Sequence, residues 1–203
     1  MKKIKNISII LFLLILFILT EAHSYAKTIS RDLSNNFFRL HILANSDSSL
    51  DQNLKFKVRD AVIDYMNTLS YEGLSKEDAI NLTINHLDDF KLVAENVLKE
   101  NNCNLDVTLE VGNFYFPTKE YGNISLPAGL YDGLKIKIGE AKGQNWWCSL
   151  FPPLCFVDIS SGIIDEDAEK DLEENLTEEE FAIITGSSEE IKLKFKILEL
   201  FSN

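Results

Sequence analysis

The residues of this chain able to do covalent chemistry are few. Cys148 and Cys155 stand seven apart in GQNWWCSLFPPLCFVD, the stretch from Gly143 to Asp158. His41 and His86 are the histidines that follow the N-terminal segment. A cysteine nucleophile needs a histidine base and a third, orienting group. His86 shares a helical stripe with core-type residues, which suits a structural histidine. His41 falls on the polar side of an alternating segment and could face a cleft. No Gly-x-Ser-x-Gly and no local cysteine-protease signature is present. The competing reading is a Cys148–Cys155 disulfide, with Cys103 left over as a bystander.

Compartment decides between the two. Lys2, Lys3 and Lys5 precede Ile7 to Leu19, a run of 13 residues that is apolar except for Ser8, and Ser24-Tyr25-Ala26 supplies small residues before a cleavage point. This order describes a signal peptide over residues 1–26, followed by one exported domain over residues 27–203. An uncleaved anchor is the lesser alternative, since a spanning helix needs about 20 apolar residues. Outside the cytoplasm neighbouring thiols pair, so the bridge is preferred to the nucleophile. Closing its eight-residue loop would contribute about 2–3 kcal/mol on the chain-entropy model.

Other chemistries fare worse. Two histidines 45 apart without His-x-x-x-His spacing make a poor zinc set, and no spaced Asp-x-Asp-x-Asp-Gly loop suggests calcium. No metal and no cofactor is expected. Without residues 1–26 the chain has 17 basic and 31 acidic side chains, a formal charge of −14. That sign opposes nucleic-acid binding, which needs a concentrated positive field. It also leaves the membrane accessible only through the signal segment or an uncleaved anchor. Asn45-Ser46-Asp47 could aim a carboxylate, but a turn and helix cap accounts for it. Lys55, Arg59 and Asp60 could form a recognition face, but a solvated helix face with i,i+4 support from pairs such as Asp51 and Lys55 is the commoner arrangement.

Aromatic residues remain. Adjacent strand side chains point to opposite faces, so Trp146 and Trp147 cannot both point inward. Exposed tryptophan beside proline has the composition of a binding hot spot. Trp146, Trp147, Phe151, Pro152 and Pro153 are therefore the candidate partner-binding residues.

The elements that must position these groups are readable from periodicity. Phe38 to Ala44 alternates as a half-buried strand, with Arg39 and His41 on its polar side. Ser49 and Gln52 have capping-box spacing and open a helix to about Ser70. A second amphipathic helix runs from Ser75 to about Glu100. Leu105 to Val111 and Leu134 to Ile138 alternate as strands around a turn-rich stretch, and Leu154 to Val157 reads as a short buried strand. Asp165 to Glu180 holds ten acidic residues in sixteen and reads as a solvated linker or fraying helix. Ile191 to Ile197 alternates with lysines as a final edge strand. The fold class is α+β: an N-terminal strand, two amphipathic helices, then a mostly antiparallel sheet packed against them.

Taken together, RLHILANSDS (Arg39 to Ser48), KVRDAV (Lys57 to Val62), FPTKEYGN (Phe116 to Asn123), LPAGLY (Leu126 to Tyr131) and NWWCSLFPPLCFVD (Asn145 to Asp158) resemble the stage II sporulation protein R family in content and order. The resemblance implies a sporulation signalling protein of endospore-forming bacteria. It would be exported into the space between forespore and mother-cell membranes. There it would activate a membrane-embedded aspartic protease, stage II sporulation protein GA, which processes the sigma-E precursor. No catalytic residues are implied. The alternatives are an exported cysteine-dependent hydrolase and a membrane-tethered scaffold module.

Overall fold

A computed structural model describes residues 2–69, 74–155 and 166–186. Helix α1 (Lys2–Asn36) is followed by strand β1 (Phe38–Leu43) and helices α2 (Ser49–Thr68), α3 (Lys76–Asn85) and α4 (Leu87–Glu100). Strands β2 (Val107–Phe116), β3 (Lys119–Tyr121), β4 (Ile124–Leu126), β5 (Gly129–Ile138) and β6 (Asn145–Phe151) come next, then helices α5 (Glu166–Asn175) and α6 (Glu178–Ile184). The main sheet has the order β2-β5-β1-β6, with β1 parallel to β5 and the other two pairs antiparallel. Strands β3 and β4 form a separate two-stranded sheet. The class is α+β with a mostly antiparallel sheet, as the periodicity requires.

Helix α2 starts where the Ser48 hydroxyl accepts from the Asp51 N–H, one residue earlier than the spacing predicts. Its stripe of Leu54, Val58, Val62 and Met66 is buried against the sheet. The single long helix expected from Ser75 is instead two helices, α3 and α4, broken at His86. Thr83 hydroxyl bonds back to the Ala79 carbonyl at 2.9 Å, a local competition that bends helices. The break lets Ala79 and Thr83 face the core from one axis, and Phe90, Ala94 and Leu98 from another. His86 is structural, as expected: its Nδ1 meets the Tyr65 hydroxyl at 3.0 Å and Asp89 at 2.8 Å.

Strand β1 is not half-buried. It is the third strand of four, and Arg39 is fully enclosed and His41 nearly so. Amphipathic alternation marks a sheet with one wet face, whereas here the second face is covered. Much of the cover is the β3–β4 pair, which brings Tyr121, Ile124 and Leu126 into the core. Helices α5 and α6 lie next to β4 and bury Leu172, Leu176, Ile183 and Ile184, so the acidic segment is helical and anchored by its few apolar residues. A capping box between Thr177 and Glu180 opens α6. Leu154 and Cys155 lie in a turn after β6 rather than in a strand. Phe156, Val157 and the lysine-alternating segment 191–197 lie outside the described residues.

Helix α1 is long and apolar enough to cross a membrane, judged by length and composition. Its run from Ile9 to Leu19 is exposed where described, whereas Ile29 and Leu33 pack on the core. Among the described residues, the α1 side chains that pack on the core lie after Ala26.

Candidate functional site

The turn between β1 and α2 builds one end of the site. Asn45 Nδ2 and the Ser46 hydroxyl both donate to the Asp51 carboxylate, and Asn45 Oδ1 accepts the Glu140 N–H at 2.9 Å. Asp47 accepts the Gln144 N–H at 2.8 Å. The Ser46 hydroxyl first, and then Asn45, hold the Asp51 carboxyl below the usual carboxylate range. This cluster is a clasp between the β1–α2 turn and the β5–β6 loop, in keeping with a turn and cap. Lys55 completes it. Far from lying on a solvated face, it is buried, and its ammonium donates to Gln52 at 2.6 Å and to the Gln144 carbonyl at 3.1 Å. Burial lowers its pKa.

The clasp fixes where β6 begins, and so where the tryptophans point. Trp146 is opposite Ile42 and faces the helices, while Trp147 is opposite His41 and faces the other side. The alternation argument is met in that sense: both rings are half-buried, on opposite faces of the sheet. Trp146 stands edge-on to Phe56 at 5.6 Å, and the Arg59 guanidinium lies 4.5 Å from its ring centre. Phe56 is partly exposed, and Leu50 of the same helix more so. Phe151 and Pro152 are buried, and Pro153 is half-buried. Of the five candidate residues, then, Trp146, Trp147 and Pro153 keep exposed surface. Arg59, named in the sequence as part of a possible recognition face, joins the patch, and Phe56 joins it without having been singled out.

A disulfide joins Cys148 to Cys155, with Cα atoms 5.1 Å apart, and closes the loop beneath the patch. Cys103 is the free thiol. With both sulfurs bonded to each other, the cysteine–histidine pairing has no nucleophile. Among the described residues no group of three or more His, Cys, Asp or Glu side chains could hold a metal.

The opposite face holds a cluster the alternation pattern conceals. Arg39, His41 and Trp147 converge there with Phe116, Tyr121 and Tyr131. Gly133 makes room: a Cβ at that position would meet the Arg39 carbonyl at 2.9 Å and the Phe116 ring at 3.1 Å. The Phe116 ring can therefore lie 4.4 Å from the Arg39 guanidinium carbon, with the Tyr131 ring at 4.9 Å. Arg39 Nη2 donates to the Tyr121 hydroxyl at 2.9 Å, and that hydroxyl donates to the Trp147 carbonyl at 3.3 Å. Burial raises the pKa of both Tyr121 and Tyr131, so neither supplies a negative charge to Arg39. His41 Nε2 donates to Asn145 Oδ1 at 2.9 Å, and burial lowers the His41 pKa.

Arg39 is thus a fully buried cation with one hydrogen bond and two aromatic faces. Among the described residues its Nε and Nη1 have no hydrogen-bond partner, and neither do His41 Nδ1 and Trp147 Nε1. A desolvated cation–π contact is worth about 2 kcal/mol. The effective penalty for burying an ion is several kcal/mol, and each unmade buried hydrogen bond adds about 1–3 kcal/mol.

These features define a class: a small α+β domain behind an N-terminal apolar helix, with a disulfide-closed aromatic loop and a buried arginine. The model of the stage II sporulation protein R family matches residues 34–161, and the chain belongs to that family. It is 36% identical over 198 residues to stage II sporulation protein R of Bacillus subtilis (strain 168), covering 95% of this chain and 88% of that one. No solved structure matches it.

Proposed function

We propose that this protein is the exported signal that activates a membrane-embedded aspartic protease, stage II sporulation protein GA, and so starts processing of the sigma-E precursor in the mother cell. Family membership supports a sporulation role. The observation that carries the activator reading is the outward patch of Trp146, Phe56 and Arg59 beside a disulfide-closed loop. Tryptophan and arginine dominate binding hot spots, and a rigid backbone lowers the ordering cost of association. The domain acts by binding the active state of the protease more tightly than the inactive one, since only differential affinity shifts an equilibrium. Pro153, in the turn after β6, keeps further exposed surface, while Phe151 and Pro152 are buried beside it.

The N-terminal segment carries the domain out of the forespore into the space between the two membranes. Cleavage after Ala26 frees it without touching the core, because Ile29 and Leu33 are retained. If α1 is kept instead, the same domain acts as a tethered module, and the mass of the exported chain distinguishes the two.

Binding is the direct test. The detergent-solubilised protease should capture wild-type protein, and Trp146→Ala or Arg59→Ala should weaken capture about tenfold or more. Equal capture of all three would remove the patch from the account.

A further inference from the structure

The Arg39 cluster is separate from the Trp146 patch, on the other face of the sheet, and it has its own chemistry. We propose that it is a carboxylate-binding site, in which the Arg39 guanidinium receives one carboxylate beneath the β3–β4 pair.

Geometry carries this. A guanidinium offers a carboxylate two forked edges, Nε with Nη2 or Nη1 with Nη2, and each edge here includes an unpartnered nitrogen. Tyr121 engages Nη2 with a single bond, which leaves that nitrogen a second hydrogen. Phe116 and Tyr131 lie against the guanidinium, so hydrogen bonding to it is left to its edges. A buried charge without a counterion is costly, and a bound carboxylate would supply one. Among the described residues no carboxylate pairs with Arg39. The nearby lysines point to the same sign of ligand. Lys119 lies 4.7 Å from the Trp147 ring centre, and Lys135 lies 3.5 Å from that of Phe114.

A carboxylate fits better than a phosphate. One negative charge balances the one guanidinium, and a flat anion suits a guanidinium flanked by two rings. A dianion would enter an enclosed aromatic site with a charge left over. The cover is slight: β3 and β4 have three residues each and pair only with each other.

The carboxylate could come from a small molecule or from a polypeptide side chain. The test uses the full-length chain in mild detergent at pH 7 and constant ionic strength, following the thermal midpoint. Sodium chloride is replaced by sodium acetate, by a capped Gly-Glu-Gly peptide, or by sodium phosphate. A saturable rise of about 2–4 °C with acetate or peptide is expected once the ligand is several-fold above its dissociation constant. A response to acetate assigns a small carboxylate, and a response to peptide alone assigns a polypeptide. Arg39→Met should abolish the rise, and Arg39→Lys should weaken half-saturation more than tenfold because the fork is lost. No rise in wild type, an equal rise in Arg39→Met, or a response to phosphate matching that to acetate would overturn the proposal.

Discussion

His41 and Trp147 are cross-strand partners, and their rings stack 5.2 Å apart with planes 18° from parallel. The stack closes His41 off from water, and Asn145 fixes its Nε2 as a donor. Arg39, Lys135 and Lys137 add positive charge around it, reinforcing the effect of burial. The neutral ring is therefore the folded form.

A pH dependence follows with a definite sign. The folded pKa of His41 is below the unfolded value of about 6.5, so the unfolded chain takes up a proton first as pH falls. Stability should decline as pH drops below about 6.5 and level off beneath the folded pKa. The depressed carboxylates Asp51, Asp89 and Asp132 act lower, near pH 4 and below. Urea unfolding at pH 7.5, 6.5 and 5.5 should show the decline in wild type and a flatter profile in His41→Gln. Parallel profiles would assign the effect to other groups.

Removing the bridge by Cys148→Ser should lower stability by about 2–3 kcal/mol, the loop-closure term for eight residues. Activation of the protease should fall only as far as the folded population does. Equal thermal midpoints for wild type with and without reductant would count against a stabilising bridge.

The clasp makes a separate prediction. Asn45→Ala strips one donor from Asp51 and the acceptor from the Glu140 N–H, and should cost about 1–3 kcal/mol. Because the Asp51 carboxyl is depressed by its hydrogen bonds, its contribution is present above about pH 4 and lost as pH falls through the folded pKa. Asp51→Asn should flatten that acid limb. An unchanged limb would mean that the clasp contributes little.

Trp146→Ala should weaken activation more than it weakens the fold. The ring is half-buried against Phe56 and Arg59 at the outer edge of the helix layer, not in the centre of the core. The comparison is sigma-factor processing against thermal midpoint, measured on the same variant. Normal processing at equal exported levels would exclude Trp146 as a contact.

The parts of this fold that were legible are those set by local pattern. The strand periods of β2 and β5, the start of α2, the structural role of His86 and the opposed tryptophans all follow from spacing within a few residues. What was hidden depends on what covers each element. Arg39 and His41 read as a wet face because polar side chains alternate with apolar ones, and nothing local reveals that the β3–β4 pair closes over them. The available signal was the aromatic content of FPTKEYGN and LPAGLY, which supply Phe116, Tyr121 and Tyr131 to Arg39. Lys55 was misread for the same reason, since its partner, the Gln144 carbonyl, is 89 residues away. The break at His86 leaves the hydrophobic stripe intact on either side, so periodicity alone does not reveal it.

The central claim is that the exported domain, and not merely its presence in the cell, switches on the protease. Cleavage of the sigma-E precursor should be measured in cells co-expressing the protease with this chain exported, retained by deletion of residues 7–19, or absent. The account predicts cleavage with the exported chain and background cleavage in the other two. Equal cleavage in all three would contradict it.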